Sequence, residues 1–141
     1  MRKILILGGG FGGIRAALDL EKKLKDKSDI TLIDKKSYHL FVPALYEVAS
    51  AYGIKRDPFA IRLKKTICIP YSDIFENKNI NFVQAEITSI DLENKEVATG
   101  GGQITDYDYL VIALGSQAAD FGIPGVKEYT FQFKNLEDAL L

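Results

Sequence analysis

Residues 1–14, MRKILILGGGFGGI, decide how this chain is read. Ile4 to Leu7 form an unbroken apolar run, the pattern of a strand buried on both faces in a parallel sheet. The run gives way to Gly8, Gly9, Gly10, Phe11, Gly12 and Gly13, and a helical pattern follows. Gly8, Gly10 and Gly13 satisfy the spacing G-x-G-x-x-G. In that motif the first glycine turns the chain sharply off the strand. The second lets the backbone touch a pyrophosphate, and the third lets helix and strand pack closely. The N–H groups that open the helix then face the phosphates, assisted by the helix dipole.

The surroundings strengthen the motif. A second apolar run, Ile30 to Ile33, ends at Asp34, which lies 21 positions after Gly13. An acid at the tip of the second strand accepts hydrogen bonds from both hydroxyls of an adenosine ribose and repels a 2′-phosphate. The pattern predicts a dinucleotide fold. Two alternatives remain at this point: a glycine turn in an unrelated α/β protein, and direct binding of NAD.

A chain of 141 residues is the size of one ordinary domain and can bury a real core. An apolar fraction of 47% and a charged fraction of 26% are those of a soluble globular protein. The net charge of −1 supplies no long-range field for nucleic acid or an anionic membrane. The single cysteine, Cys68, excludes an internal disulfide and argues against a cysteine-rich zinc site, and no metal is expected. No apolar run reaches transmembrane length, and the N-terminus enters a strand directly, unlike a signal peptide. A cytoplasmic protein is the default expectation.

Taken in order, Ile14 to Lys25 reads as the first helix, with Ile14, Ala17, Leu18 and Leu24 on one face. Lys22, Lys23, Lys25 and Lys27 read as its solvated side. Tyr38 to Ala51, YHLFVPALYEVASA, is a long aromatic connection in which Pro43 opens a short helix. It is suited to covering a flat ligand, or equally to ordinary packing. His39, the only histidine, reads as structural, since no triad partner is evident. Thr66 to Pro70 suggests a short strand with a buried Cys68 thiol. Residues 70–76 suggest a short helix. From Ile80 onward the chain is dense in strand signals. Turns at Glu93–Lys95 and Gly100–Gly102 predict a small antiparallel meander. Tyr109 to Leu114 returns to a buried strand and ends in a second glycine turn at Gly115, at the strand end where ligands of open α/β sheets gather. Leu136 to Leu141 reads as the start of a helix, and the chain stops inside it. This predicts a truncated protein.

Four stretches, 6–13, 32–49, 82–97 with 107–115, and 121–126, resemble in order and spacing the N-terminal FAD-binding part of the two-dinucleotide flavoprotein reductases. The closest likeness is to the type II NADH dehydrogenases, which pass electrons from NADH through FAD to a quinone. The resemblance implies a Rossmann-like α/β FAD-binding domain over residues 1–141, with a parallel sheet and a small antiparallel β meander, incomplete at its C-terminus. Gly8, Gly10, Gly12 and Gly13, with Phe11 among them, would hold the FAD pyrophosphate. Asp34 would bind the ribose, with Lys35 beside it. Backbone near Glu86 and Ile87 would meet the adenine. Ala113 and Gly115 match the family's Ala-Thr-Gly turn, with Leu114 in place of threonine. Tyr38 to Leu45 would lie toward the flavin.

The resemblance further implies a second glycine-fingerprint domain for NADH after the end of this chain. It also implies a final segment carrying the quinone site and peripheral contact with the inner face of the cell membrane. A homodimer stays open. These 141 residues alone are expected to be inactive. Other members of the superfamily, such as sulfide:quinone, ferredoxin or disulfide reductases, are alternatives. The sulfide and disulfide chemistries need paired cysteines that Cys68 alone does not supply. A non-catalytic FAD-binding or interaction module is the alternative from another class.

Overall fold

The structure is a computed structural model that describes residues 1–52 and 58–140; the side chains of residues 52 and 58–62 lie outside that description. The chain forms two compact units. The first comprises Met1–His39 and Pro70–Gly115, the second Leu40–Ile69 and Ser116–Leu141.

The first unit is built on strand β1 (Arg2–Leu7), helix α1 (Phe11–Leu24) and strand β2 (Ser28–Asp34). After them come the short strand β3 (Tyr38–Leu40), helices α2 (Leu45–Tyr52) and α3 (Pro58–Ile67), strand β4 (Cys68–Pro70) and the single-turn helix α4 (Tyr71–Ile74). Strands β5 (Ile80–Gln84), β6 (Ile87–Asp91), β7 (Glu96–Thr99), β8 (Ile104–Asp106) and β9 (Tyr109–Ile112) complete the β structure.

Four strands form a parallel sheet in the order β5-β2-β1-β9. Pairing is in register from Arg2 opposite Ser28 to Leu7 opposite Ile33, and from Ile30 opposite Ile80 to Asp34 opposite Gln84. On the other side of β1, Ile4 to Leu7 face Tyr109 to Ile112. This order is one half of the doubly wound arrangement, and the tips of β1, β2 and β9 meet at the same edge.

Alternation along β1 explains the two layers. Ile4 and Ile6 join Ile30, Leu32, Ala17, Tyr71, Phe75 and Ile80 on the face that α1 covers. Leu5 and Leu7 join Ile33, Val97 and Tyr107 on the opposite face. Side chains in a strand point alternately to either side, so an unbroken apolar run fills both layers at once. Ile6, Leu7, Leu32 and Ile33 lose all solvent exposure. Full burial stabilises by about 1.5–3 kcal/mol for each such side chain.

The second face is closed by the antiparallel meander β6-β7-β8 instead of a helix. Its turns fall at Lys95, which has φ 55°, and at Gly102, φ 76°. The three glycines at 100–102 therefore make a hairpin, as expected. Three sequence expectations need correction. The strand Ile80–Val83, read as part of the meander, pairs with β2 in the parallel sheet, because alternation identifies a strand but not its partner. The helix expected from Ile14 begins at Phe11, inside the glycine run, whose low helix propensity conceals it. Thr66 and Ile67 end α3 instead of opening a strand, and Cys68 at the start of β4 is half-buried.

In the second unit, α2 follows a single 3-10 turn, Val42–Ala44, that Pro43 opens. Leu45, Val48, Ile67, Leu136 and Ala139 make its core. Two further one-turn helices lie here, α5 (Val126–Tyr129) and α6 (Leu136–Ala139). Asn135 caps α6, accepting from the Asp138 N–H while Asp138 reaches back to the Asn135 N–H. The expected helix from Leu136 is thus present up to Ala139, and Leu141 lies outside the described residues. Among the described residues no helix is long and apolar enough to cross a membrane.

Candidate functional site

The site is the junction where β1 ends, α1 begins and β2 and β9 terminate. Gly8 leaves β1 with φ +95°, a conformation that side chains strain to adopt. A Cβ there would also overlap the backbone of Ala113, at the end of β9. The Gly8 N–H donates to the Ile33 carbonyl at 2.8 Å, and the Ala113 N–H to the Leu7 carbonyl at 2.8 Å, so three strand ends are laced together. Gly13, in the first turn of α1, sits so close to this corner that a Cβ would overlap the Gly8 carbonyl oxygen. These two glycines serve the close packing of helix on strand.

Gly10 differs. It is the N-cap of α1, with ordinary extended dihedrals, and a Cβ added there meets no atom within 4 Å. A Cβ on Gly12 would find only the Ala113 methyl, at 3.9 Å. The surface over Gly10 and Gly12 is therefore open backbone. Among the described residues no side chain caps α1, and no acid lies in its first turn. The opening N–H groups of a helix lack acceptors within it and carry about half a positive charge. An anion resting over Gly10 would meet them without displacing a side chain.

Asp34 stands at the tip of β2 beside this surface. Its Oδ2 accepts from the Gly9 N–H at 2.6 Å and its Oδ1 from the Lys36 N–H at 2.8 Å. A carboxylate has about four acceptor positions, so these bonds leave capacity for hydroxyl donors. Donor set and acceptor thus adjoin: amides for a diphosphate, a carboxylate for a diol. The residues present fit the adenosine diphosphate end that FAD and NAD share.

The remaining expected residues are placed less uniformly. Phe11, half-exposed, opens α1 and meets the His39 ring edge-on at 4.7 Å. The Lys35 side chain is exposed, and its carbonyl accepts from Gln84 at 3.2 Å. Ile87 packs partly into the core under the meander, and the Glu86 carbonyl accepts from the Gly100 N–H at 2.8 Å. Gly115 adopts φ +75° just past β9.

Three residues of the junction were missing from the sequence reading: Gly9, His39 in this role, and Tyr71. The Gly9 carbonyl accepts from the Tyr71 hydroxyl at 2.9 Å and faces His39 Nδ1 at 3.1 Å. A Cβ on Gly9 would overlap the Tyr71 hydroxyl. Both side chains are buried, at 2% and 5% exposure, so neither has water as a substitute partner. Burial, and then the neighbouring Asp34 carboxylate, push the Tyr71 hydroxyl well above its usual pKa, which keeps it a donor. His39 is packed into this corner, with its ring edge-on against Phe11. The only forward signal was its place in an otherwise aromatic stretch.

Comparison with known proteins accords with this geometry. Residues 2–141 match the family described as pyridine nucleotide-disulphide oxidoreductase. A type II NADH:quinone oxidoreductase of Staphylococcus haemolyticus is 39% identical over 139 residues, 98% of this chain and 32% of that protein. Among solved structures, the sulfide:quinone oxidoreductase of Aquifex aeolicus superposes with a TM-score of 0.83 at 32% identity, over 99% of this chain and 30% of that one. NDH2 of Plasmodium falciparum, solved in complex with NADH, gives a TM-score of 0.77 at 29% identity, over 99% and 27%. The chain thus spans about a third of the length of the curated relatives it matches. With its fingerprint loop, its four-stranded parallel sheet and its meander, the chain belongs to the pyridine nucleotide-disulphide oxidoreductase family.

Proposed function

We propose that these 141 residues are the FAD-holding portion of a flavoprotein oxidoreductase that carries electrons from NADH to a quinone-type acceptor. The observation that carries the reading is the juxtaposition of Asp34 with an open amide surface. The carboxylate lies 2.6 Å from the Gly9 N–H, and a Cβ added to the next residue, Gly10, would meet no atom within 4 Å beyond its own chain neighbours. Gly10, Gly12 and Gly13 hold the diphosphate through backbone N–H groups, with Phe11 between them. Asp34 takes the ribose hydroxyls, with Lys35 alongside. Backbone near Ile87 meets the adenine, and the Ala113–Gly115 turn lies beside the cofactor. The flavin, once bound, supplies the hydride and electron chemistry. The chain's own residues bind and orient it. NADH and quinone belong to the whole enzyme, and the resemblance to type II NADH:quinone oxidoreductases over the full chain supports them. In this reading the chain alone does not oxidise NADH, and the complete enzyme touches the membrane only peripherally.

A second reading, sulfide:quinone reduction, is favoured by the superposition on the Aquifex aeolicus enzyme. It would need thiols beyond Cys68, the one cysteine in these residues. The test is the visible spectrum of the purified chain, followed by titration with FAD and with NAD. Stoichiometric flavin supports the proposal. A colourless protein that binds NAD and not FAD overturns it.

A further inference from the structure

Both peptide groups flanking Gly9 are held by side chains. On one side its N–H donates to Asp34 at 2.6 Å; on the other its carbonyl lies at 2.9 Å from the Tyr71 hydroxyl and 3.1 Å from His39 Nδ1. Tyr71 and His39 stand outside the glycine motif, 62 and 30 positions later in the chain. They are locked themselves: Tyr71 packs on Phe82 and Phe75 with ring centroids 4.5 and 6.0 Å apart, and His39 packs edge-on against Phe11.

The peptide joining Gly9 to Gly10 is trans, as are all those described. In a trans peptide the N–H points opposite to the C=O. A Gly9 carbonyl turned to the buried pair therefore turns the Gly10 N–H away from that pair, and the space around a Cβ on Gly10 is open. The reverse rotation would leave the carbonyl with no buried donor and present its oxygen to an incoming anion. We infer that Tyr71 and His39 are positioning residues whose grip on the Gly9 carbonyl aims the Gly10 N–H at the diphosphate of a bound nucleotide. The two donors also polarise the amide, which strengthens its N–H as a donor in turn. His39 serves with the proton on Nδ1, the atom that faces the carbonyl. This assignment rests on the FAD reading above and adds which groups outside the fingerprint set its geometry.

The test compares diphosphate with nucleoside. Tyr71→Phe deletes one oxygen and keeps the ring; His39→Leu removes the donor, and His39→Asn returns an N–H near the Nδ1 position. Adenosine, ADP and FAD are titrated calorimetrically into each full 141-residue chain. The expected result is an ADP and FAD affinity lowered about tenfold in Tyr71→Phe and His39→Leu, with adenosine unchanged and part of the loss restored in His39→Asn. A merely structural role would weaken adenosine and ADP alike, or neither. An ADP-to-adenosine ratio equal to wild type in both Tyr71→Phe and His39→Leu overturns the inference while leaving the FAD reading intact. A wild-type chain that binds neither ADP nor FAD overturns both. If Tyr71→Phe fails to fold, the His39 pair decides.

Discussion

Gly10→Val separates binding from folding more cleanly than any other change at the junction. Gly10 has φ −72° and ψ −172°, which valine adopts without strain, and a Cβ there has open space around it. The structural cost is that of a poorer N-cap, about 0.5–1 kcal/mol. For a chain of 141 residues the unfolding entropy is about 0.3 kcal/mol per degree, so the melting temperature falls by about 2–3 °C. The two added methyl groups occupy the space a diphosphate needs. Losing two charge-assisted hydrogen bonds removes about 3–6 kcal/mol, a hundredfold or more in affinity. Gly13→Ala should behave in the opposite way. Alanine favours a helix over glycine by about 1 kcal/mol, but its methyl would collide with the Gly8 carbonyl, and overpacking costs about 1–3 kcal/mol or more. The assay is a thermal melt without ligand beside a fluorescence titration with FAD. Stoichiometric FAD at wild-type affinity in Gly10→Val would refute the reasoning. A Gly10→Val melt lowered as far as that of Gly13→Ala would refute the steric part.

Asp34→Ala should weaken FAD by about 1–3 kcal/mol through lost charge-assisted hydrogen bonds, read by the same titration; unchanged affinity would place the ribose elsewhere. The pKa of Tyr71 is raised by folding, so the folded chain keeps a proton that the unfolded chain releases above about pH 10. Its contribution to stability is therefore complete below that pH and lost above it, with a slope approaching about 1.4 kcal/mol per pH unit. Denaturant unfolding between about pH 8.5 and 11.5 (roughly one and a half units either side of the ordinary tyrosine value) should show Tyr71→Phe losing less stability with pH than wild type, and parallel curves would contradict it. Ile6→Ala, at a fully buried position under α1, should cost about 2–5 kcal/mol in urea unfolding, and a loss below about 1 would mean the layer repacks freely.

What was legible in the sequence was local. The run Ile4–Leu7, the glycine turn and the run into Asp34 each carry their own periodicity and punctuation, and all three fall where expected. The hairpin turns at Lys95 and Gly102 were legible for the same reason. What was hidden depends on partners far along the chain. Ile80 pairs with Ile30 across fifty positions, and nothing in its own neighbours says so. Thr66 and Ile67 have β-branched side chains, yet α3 carries them: the burial of Ile67 outweighs a propensity of a few tenths of a kcal/mol, and the exposed Thr66 hydroxyl donates to the Leu63 carbonyl. Within the site, the motif glycines and Asp34 announced themselves by spacing. Tyr71 did not, since a tyrosine beside Pro70 has no spacing rule to the Gly9 carbonyl it meets.

The bonds from His39 and Tyr71 to the Gly9 carbonyl also bear on the order of folding. Helix α1 can form from neighbours alone, whereas β1 needs β2 as its partner, so the strand–turn–helix unit of residues 1–24 can be completed once the chain has reached Asp34. Its loop acquires its fixed peptide orientation only after a closure spanning 62 residues has been made, and long closures come late. A nascent chain that has exposed the entire glycine fingerprint, and even Asp34, is therefore still without the tyrosine that sets the loop.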